Sequence, residues 1–214
     1  APEPNKIIYS MIRVSKYYDK KPVLKDISLS YFYGAKIGVL GLNELVQIQV
    51  GKQLHESDEA MVFGLKVITF LKEKADQLSQ DHGLRIILEQ SPAETTAYRF
   101  AKLDLRYFSP EAGRIVKGDL SKGEIFYTNS TDLNVSSVLS PLDRLKMEGA
   151  FHPLFGGGAI SHLWVGETGP SGETLADLVI KVYRQSKCRV VTFSPEFTIC
   201  PVCRSTVRGL RQKC

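Results

Sequence analysis

Long apolar runs are missing from this sequence. No stretch nears the roughly 20 residues that span a bilayer, so no membrane span is expected. The first residues, Ala1-Pro-Glu-Pro4, lack the basic start and apolar centre of a secretory signal, which makes a cytoplasmic location the expectation. Cysteine is scarce: of Cys188, Cys200, Cys203 and Cys214, the last three fall within 15 residues. Without a secretion signal that clustering argues against a disulfide framework and for metal or redox chemistry. Histidine is sparse too, and His55, His82, His152 and His162 are spread without metal-ligand spacing. His162, beside Trp164, reads as a packed side chain. There is no internal repeat, no low-complexity tract and no large excess of one charge. The net charge is +5 at a pI near 9.0, with a basic concentration only at Arg204, Arg208, Arg211 and Lys213. Such a balance suits anionic ligands but is more often a solvated surface, so nucleic acid is not the expected partner. What remains, 43% hydrophobic and 24% charged residues in a 214-residue chain, fits one or two soluble globular domains.

A second absence is more specific. Gly34 to Asn43 reads as an apolar strand running into Gly41-Leu-Asn43, the way a strand enters a phosphate-binding loop. The second glycine and the Lys-Ser/Thr pair are missing; Glu44-Leu-Val-Gln47 stands there instead. Without them the backbone cannot wrap an anion and Mg²⁺ gains no hydroxyl ligand, so a nucleotide is not expected at this place.

The rest has readable local grammar. Residues 7–18 and 23–33 form two expected strands joined at Asp19–Pro22, with Ile27, Leu29 and Tyr31 on a buried face. Ser57 caps an expected helix over about 57–80, whose apolar stripe is Met61, Leu65, Ile68, Leu71, Ala75 and Leu78. A strand over Leu84–Leu88 leads to Ser91-Pro-Ala-Glu94, which reads as a capping box opening a helix from Ala93 to about Asp104. Arg114–Val116 and Glu124–Tyr127 suggest a hairpin, and Ser140-Pro-Leu-Asp143 opens a short helix ending at Gly149. After Gly156–Gly158 come a strand over His162–Val165, a helix over about 172–186 presenting Leu175, Leu178, Val179 and Val182, and a strand over Arg189–Phe193. This alternation is α/β grammar with parallel crossovers. A strand ending at a helix start is also an anion site, because orphan amides and the helix dipole point outward together. Thr95 and Thr96 can add hydroxyl donors there. The alternative is that Ser91 and Glu94 only cap each other.

Two resemblances sit on these residues. Tyr9–Val14, Val23–Ser30 and Gly34–Asn43 resemble the start of an ABC-F-type ATPase, the translation-factor branch of the ABC family. From about Gly41 onward, Gly41–Glu44, Gly51–Ser57, Leu88–Ala101, Tyr127–Ser130 and Phe193–Phe197 resemble, in family order, the C-terminal part of an anaerobic (class III) ribonucleoside-triphosphate reductase. The expected organisation is therefore an ABC-F-like β segment at 1–43, a partial α/β glycyl-radical-enzyme barrel at 44–197 and a shortened zinc-knuckle tail at 198–214.

The reductase resemblance implies radical reduction of ribonucleoside triphosphates to deoxyribonucleoside triphosphates. It implies phosphate binding by Ser91, Ala93, Glu94, Thr95 and Thr96, with Glu94 and Tyr98 as candidate polar neighbours of the ribose. It also implies a glycyl radical, a radical-SAM activating enzyme and a homodimer. The radical cysteine and the glycyl-radical loop are expected outside these residues, which alone are not expected to turn over. Cys200-Pro-Val-Cys203 has the thiolate spacing of a zinc knuckle, and the resemblance makes Cys214 the first member of a second pair. Cys188 or water would then complete the tetrahedron, although Cys188 by itself reads as a buried or edge thiol. Two rivals are an ABC-F ATPase fragment and a non-enzymatic zinc-ribbon module touching nucleic acid through the basic tail.

Overall fold

Strand and helix meet where the phosphate loop breaks off. The computed structural model describes residues 7–18, 21–32, 34–167, 169–200 and 202–209. Strands β1 (Ile7–Tyr18) and β2 (Lys21–Phe32) form an antiparallel hairpin that closes with Tyr18 opposite Lys21. Asp19 and Lys20 of the expected turn lie outside the described residues, as do the side chains of Ile27, Leu29 and Tyr31. β3 (Lys36–Val39) runs through the left-handed Gly41, φ 74°, directly into helix α1 (Leu42–Val50). That helix was not apparent in the broken motif.

Ser57 accepts from the Ala60 amide at 3.2 Å and opens the 25-residue α2 (Asp58–His82) as expected. Of its expected stripe, Ile68 and Ala75 are buried and Met61 and Leu65 pack against the core, while Leu71 and Leu78 are exposed. Ala60 and Gly64 join the buried face. Small residues let the helix lie close to its neighbours: a Cβ on Gly64 would stand 2.6 Å from Leu54 Cδ2.

β4 (Ile87–Gln90) pairs in parallel with β3, Lys36 opposite Ile87 and Val39 opposite Gln90. Its other edge bonds the glycine turn: Gly157 N–H donates to Leu88 O at 2.7 Å, and Gln90 N–H donates to Gly158 O at 3.1 Å. Val39, Leu42, Val46 and Leu88 share one core with Leu133, Phe151 and Phe155. This core does not divide at residue 43.

Helix α3 (Glu94–Tyr107) packs Ala101 against Val116, which precedes β5 (Lys117–Asp119), and against Ile125 of β6 (Glu124–Phe126), the strand that pairs with β5 as a hairpin. The first arm of that hairpin was expected at Arg114–Val116. Ala112–Arg114 is instead a 3₁₀ turn, and the arm starts at Lys117. α4 (Pro141–Gly149) begins on Ser140, which accepts from Asp143 N at 3.2 Å, with proline in its first turn. β7 (Ser161–Trp164), α5 (Gly172–Gln185) and β8 (Val191–Ser194) then form a parallel crossover unit. Leu163, Val182 and Cys188 pack there with Leu145, and Leu178 lies against them. The last pair, β9 (Phe197–Ile199) and β10 (Thr206–Arg208), is antiparallel. Among the described residues no helix is long and apolar enough to cross a membrane.

Candidate functional site

The start of α1 is already filled. Gly41 N–H donates to Thr128 O at 3.0 Å and Leu42 N–H donates to Ser130 O at 3.1 Å, so the amides that a phosphate would need are used by the chain itself. Glu44, only 4% exposed, supplies the negative charge that a helix N-terminus favours. Its Oε1 accepts from Thr128 Oγ1 at 2.5 Å and from Thr128 N–H at 3.2 Å. Nearby, buried Lys117 donates to Gln47 Oε1, and desolvation lowers its pKa against the opposing pull of Glu44 and Glu56.

The segment 128–134 is held from four sides. Glu44 and the α1 amides take Thr128 and Ser130. Gln90 Nε2 donates to Thr131 Oγ1 at 2.8 Å and to Asp132 Oδ1 at 3.4 Å, while its Oε1 accepts from Ile160 N–H at 2.7 Å. Glu148 Oε1 accepts from Leu133 N–H at 3.2 Å. Arg144, ion-paired to Glu148 at 3.0 Å, donates to Leu133 O, Asn134 O and Ser137 Oγ. A turn braced this way presents its side chains with little freedom, as a preorganised site requires.

Those side chains face the start of α3. Gln90, Ser91, Pro92, Glu94, Asn129, Ser130, Asp132, Ile160 and His162 line a small, solvent-open cleft. The capping box expected over Ser91–Glu94 does not form. The N-cap is Ala93, and no side-chain cap bond is made. Extended backbone continues past β4 to the proline, and a distant residue outcompetes the local cap: Asn129 Oδ1 accepts from Ala93 N–H at 3.3 Å, and Asn129 Nδ2 donates to Glu94 Oε1 at 3.2 Å. The amides of Glu94, Thr95 and Thr96 are the first of the helix and have no intrahelical acceptor. Thr95 and Thr96 are exposed. An uncapped N-terminus beside a polar cleft is suited to an anion.

The expected residues divide. Ser91 and Glu94 line the cleft, and Ala93, Thr95 and Thr96 stand at its helix end. Tyr98 is absent from the lining; it is 43% exposed, with Lys102 Nζ 5.8 Å from its ring centre. His162 is not the packed side chain expected: it is exposed on β7 and lines the cleft. Asn129, Ser130 and Asp132 were missed as site residues, although Tyr127–Ser130 was a matching word, because nothing local says which face of that turn meets α3. Burial pushes the Asp132 carboxyl well above the usual range, with Glu148 and Glu94 adding to it and Arg144 opposing.

His152 and Cys188 belong to a separate buried chain. His152 Nδ1 accepts from Arg189 N–H at 3.0 Å, so the neutral ring carries its proton on Nε2, which meets Ser161 Oγ at 3.1 Å. Ser161 Oγ lies 3.7 Å from Cys188 Sγ. Cys188 is thus a core thiol, as its sequence position suggested. Among the described residues no three His, Cys, Asp or Glu side chains gather as metal ligands. Cys214 lies outside the described residues. The turn between β9 and β10 nevertheless has a thiolate-supporting shape: Cys203 N–H donates to Cys200 Sγ at 3.5 Å, Cys200 N–H to Ser205 O at 3.0 Å, and Arg204 is left-handed at φ 58°.

Comparison with known proteins joins these observations. The anaerobic ribonucleoside-triphosphate reductase of Salmonella typhimurium is 29% identical over 127 residues, 59% of this chain and 17% of the relative. The chain therefore spans about a sixth of that reductase's length. The anaerobic ribonucleotide reductase of Thermotoga maritima superimposes with a TM-score of 0.60 at 22% identity, over 82% of this chain and 28% of its own. The energy-dependent translational throttle protein EttA of Escherichia coli is 35% identical over 113 residues, 49% of this chain and 20% of its own length. That share exceeds residues 1–43, and the reductase likeness in turn reaches ahead of Gly41. The family model for anaerobic ribonucleoside-triphosphate reductase matches residues 6–214, and the chain belongs to that family.

Proposed function

We propose that this chain carries the substrate-phosphate end of an anaerobic ribonucleoside-triphosphate reductase. The carrying observation is the uncapped start of α3 opening on the cleft beside Ser91 and Glu94. The amides of Glu94, Thr95 and Thr96 hold phosphate oxygens, helped by the two threonine hydroxyls, while Asn129 holds the Glu94 carboxylate by a hydrogen bond. The Thermotoga maritima relative has been solved in complex with dATP and CTP, which supports a nucleoside triphosphate as the ligand. The parallel pairs β3–β4 and β7–β8 are staves of the family's α/β barrel, whose other staves, radical cysteine and glycyl-radical loop come from outside these residues. A radical-SAM activating enzyme and a second copy of the reductase are the partners of the whole enzyme, which works in the cytoplasm. The ATPase reading is disfavoured, because Thr128 and Ser130 occupy the α1 amides.

The Cys200–Cys203 hairpin fits a zinc ion, with Cys200 and Cys203 as ligands and Cys214 as a third. Zinc bound there would lock the β9–β10 turn. Metal analysis of the purified chain should find zinc that Cys203→Ser lowers; equal zinc in both proteins sinks this assignment.

The phosphate site is tested by Thr95→Asp. A carboxylate in the first turn complements the helix dipole, so the melting temperature should hold or rise. The same charge repels phosphate, so calorimetric affinity for CTP and for inorganic triphosphate should fall by about tenfold or more, equivalent to about 1.4 kcal/mol. Unchanged affinity would place the phosphates elsewhere.

A further inference from the structure

Helix α2 carries apolar side chains on both of its faces. Ala60, Gly64, Ile68 and Ala75 turn one face to the core. On the opposite face Val62 is 49% exposed and Phe70 is 55% exposed. At about 3.6 residues per turn, Val62, Lys66, Thr69, Phe70 and Glu73 fall on one stripe. With Leu65 they line a shallow groove on the protein surface. The stripe runs for about three turns along the middle of the 25-residue helix.

The charges on this stripe are ordered. Around it Lys72 pairs with Asp76 at 2.5 Å, and Lys74 donates to Gln77 at 2.9 Å. Lys74 Nζ also stands 5.8 Å from the Phe70 ring centre. Lys66 and Glu73, by contrast, form no ion pair among the described residues. They lie about 10.5 Å apart along the helix axis, beyond the neighbour spacing at which helix side chains pair. One cation and one anion thus stand equally far on either side of Thr69 and Phe70. Such a stripe is complementary to its own copy turned end for end.

We propose that the outward face of α2 is a docking surface for a second copy of this chain, which lies antiparallel across a two-fold axis passing between Thr69 and Phe70. That axis sets Lys66 of each copy opposite Glu73 of the other, so the two unused charges are both satisfied. An interface that repeats itself in this way closes as a dimer and does not grow into a fibre. Phe70 of each copy enters the groove beside Thr69 and Leu65 of the other and anchors the contact, as buried aromatics do at interfaces. The two ion pairs lie at the rim, where charge fixes register more than affinity. A single helix pair is a small interface, so the dimer forms in proportion to protein concentration. The inference is independent of the phosphate site at α3.

Sedimentation analysis of the full chain over about a hundredfold range of concentration tests this. The mean mass should rise from 23.9 kDa towards twice that value. Phe70→Ala should weaken association by about tenfold or more. Lys66→Glu and Glu73→Lys each set two like-charge pairs face to face, so either variant alone should stay monomeric under conditions where the parent dimerises. Mixed together they should dimerise, because each supplies the charges that the other faces. That recovery also shows that both variants are folded. The double variant Lys66→Glu/Glu73→Lys should associate like the parent, and high salt should remove the differences among all of them. A parent that stays monomeric at every concentration overturns the proposal and leaves this face to another part of the reductase. Dimers unaffected by Phe70→Ala and by both single charge reversals overturn it as well, since the copies then meet elsewhere. Single variants that fail to recombine on mixing exclude the antiparallel register.

Discussion

Asn129 donates through Nδ2 to Glu94 Oε1 at 3.2 Å, while its Oδ1 accepts from the amide of Ala93 at 3.3 Å. One side-chain amide thus fixes both the entry to α3 and the direction of its first carboxylate. Asn129→Asp replaces the donor with an oxygen that faces Glu94. The unfolding free energy should fall by about 0.5–1.5 kcal/mol in urea titrations, the usual net worth of a hydrogen bond. Asn129→Ala should cost a similar amount. Triphosphate binding should separate them, because only the aspartate adds negative charge; equal affinities would show that Asn129 does not govern the site's electrostatics.

Glu44 is the partner that segment 128–134 cannot replace. Glu44→Ala strands the Thr128 amide and hydroxyl, both bonded to Oε1. A loss of about 2–3 kcal/mol is expected, typical of hydrogen bonds to a buried charged group. It should appear as a lower urea midpoint with an unchanged slope. In a double-mutant cycle with Thr128→Val, the two changes should add to less than their sum. Strict additivity would mean that the bond contributes little.

Gly157 and Gly172 should respond in opposite directions to alanine. A Cβ on Gly157 would lie 2.9 Å from Leu88 O and 2.9 Å from Glu89 Cβ, where the glycine turn bonds the edge of β4. Gly157→Ala should destabilise by about 1–3 kcal/mol, as overpacking does. Gly172 opens α5 with nothing within 4 Å of its added Cβ. Gly172→Ala should stabilise by about 0.4–1 kcal/mol through the unfolded chain. Gly157→Ala melting at or above the parent temperature would contradict the packing described for Gly157, and Gly172→Ala melting below it would contradict the open space at Gly172.

His152 sets a pH dependence. Burial lowers its pKa from 6.5 to about 4, with Arg189 adding to the shift. Between those values the unfolded chain binds a proton that the folded chain refuses. Stability is therefore full above about pH 6.5 and declines as pH falls towards 4. Urea midpoints at pH 7, 6, 5 and 4 should drop progressively. His152→Gln should start lower at pH 7 and decline less steeply; parallel slopes would remove His152 as the cause.

Helix entries were the most legible part of the sequence. Ser57 and Ser140 cap as expected because a cap asks only for a short polar side chain and an amide three residues on. The face of α5 through Leu178 and Val182 follows from 3.6-residue spacing alone. The same local logic failed at Ser91, where Asn129, 36 residues beyond Ala93, took the helix start. On α2 it held for Met61, Leu65, Ile68 and Ala75 but not for the exposed Leu71 and Leu78, and it did not find Ala60 and Gly64, which turn inward close to Leu54.

The amino-acid order determined the α/β alternation, most helix starts, the missing phosphate loop and the family words, since each depends on neighbours a few residues apart. Tertiary structure alone decided that Glu44 and segment 128–134 close the old loop, and that Asn129, Ser130, Asp132 and His162 meet the start of α3. Those meetings depend on the register of β4 against β3 and against the glycine turn. Register is set by the packing of distant segments, and no short window of sequence contains it.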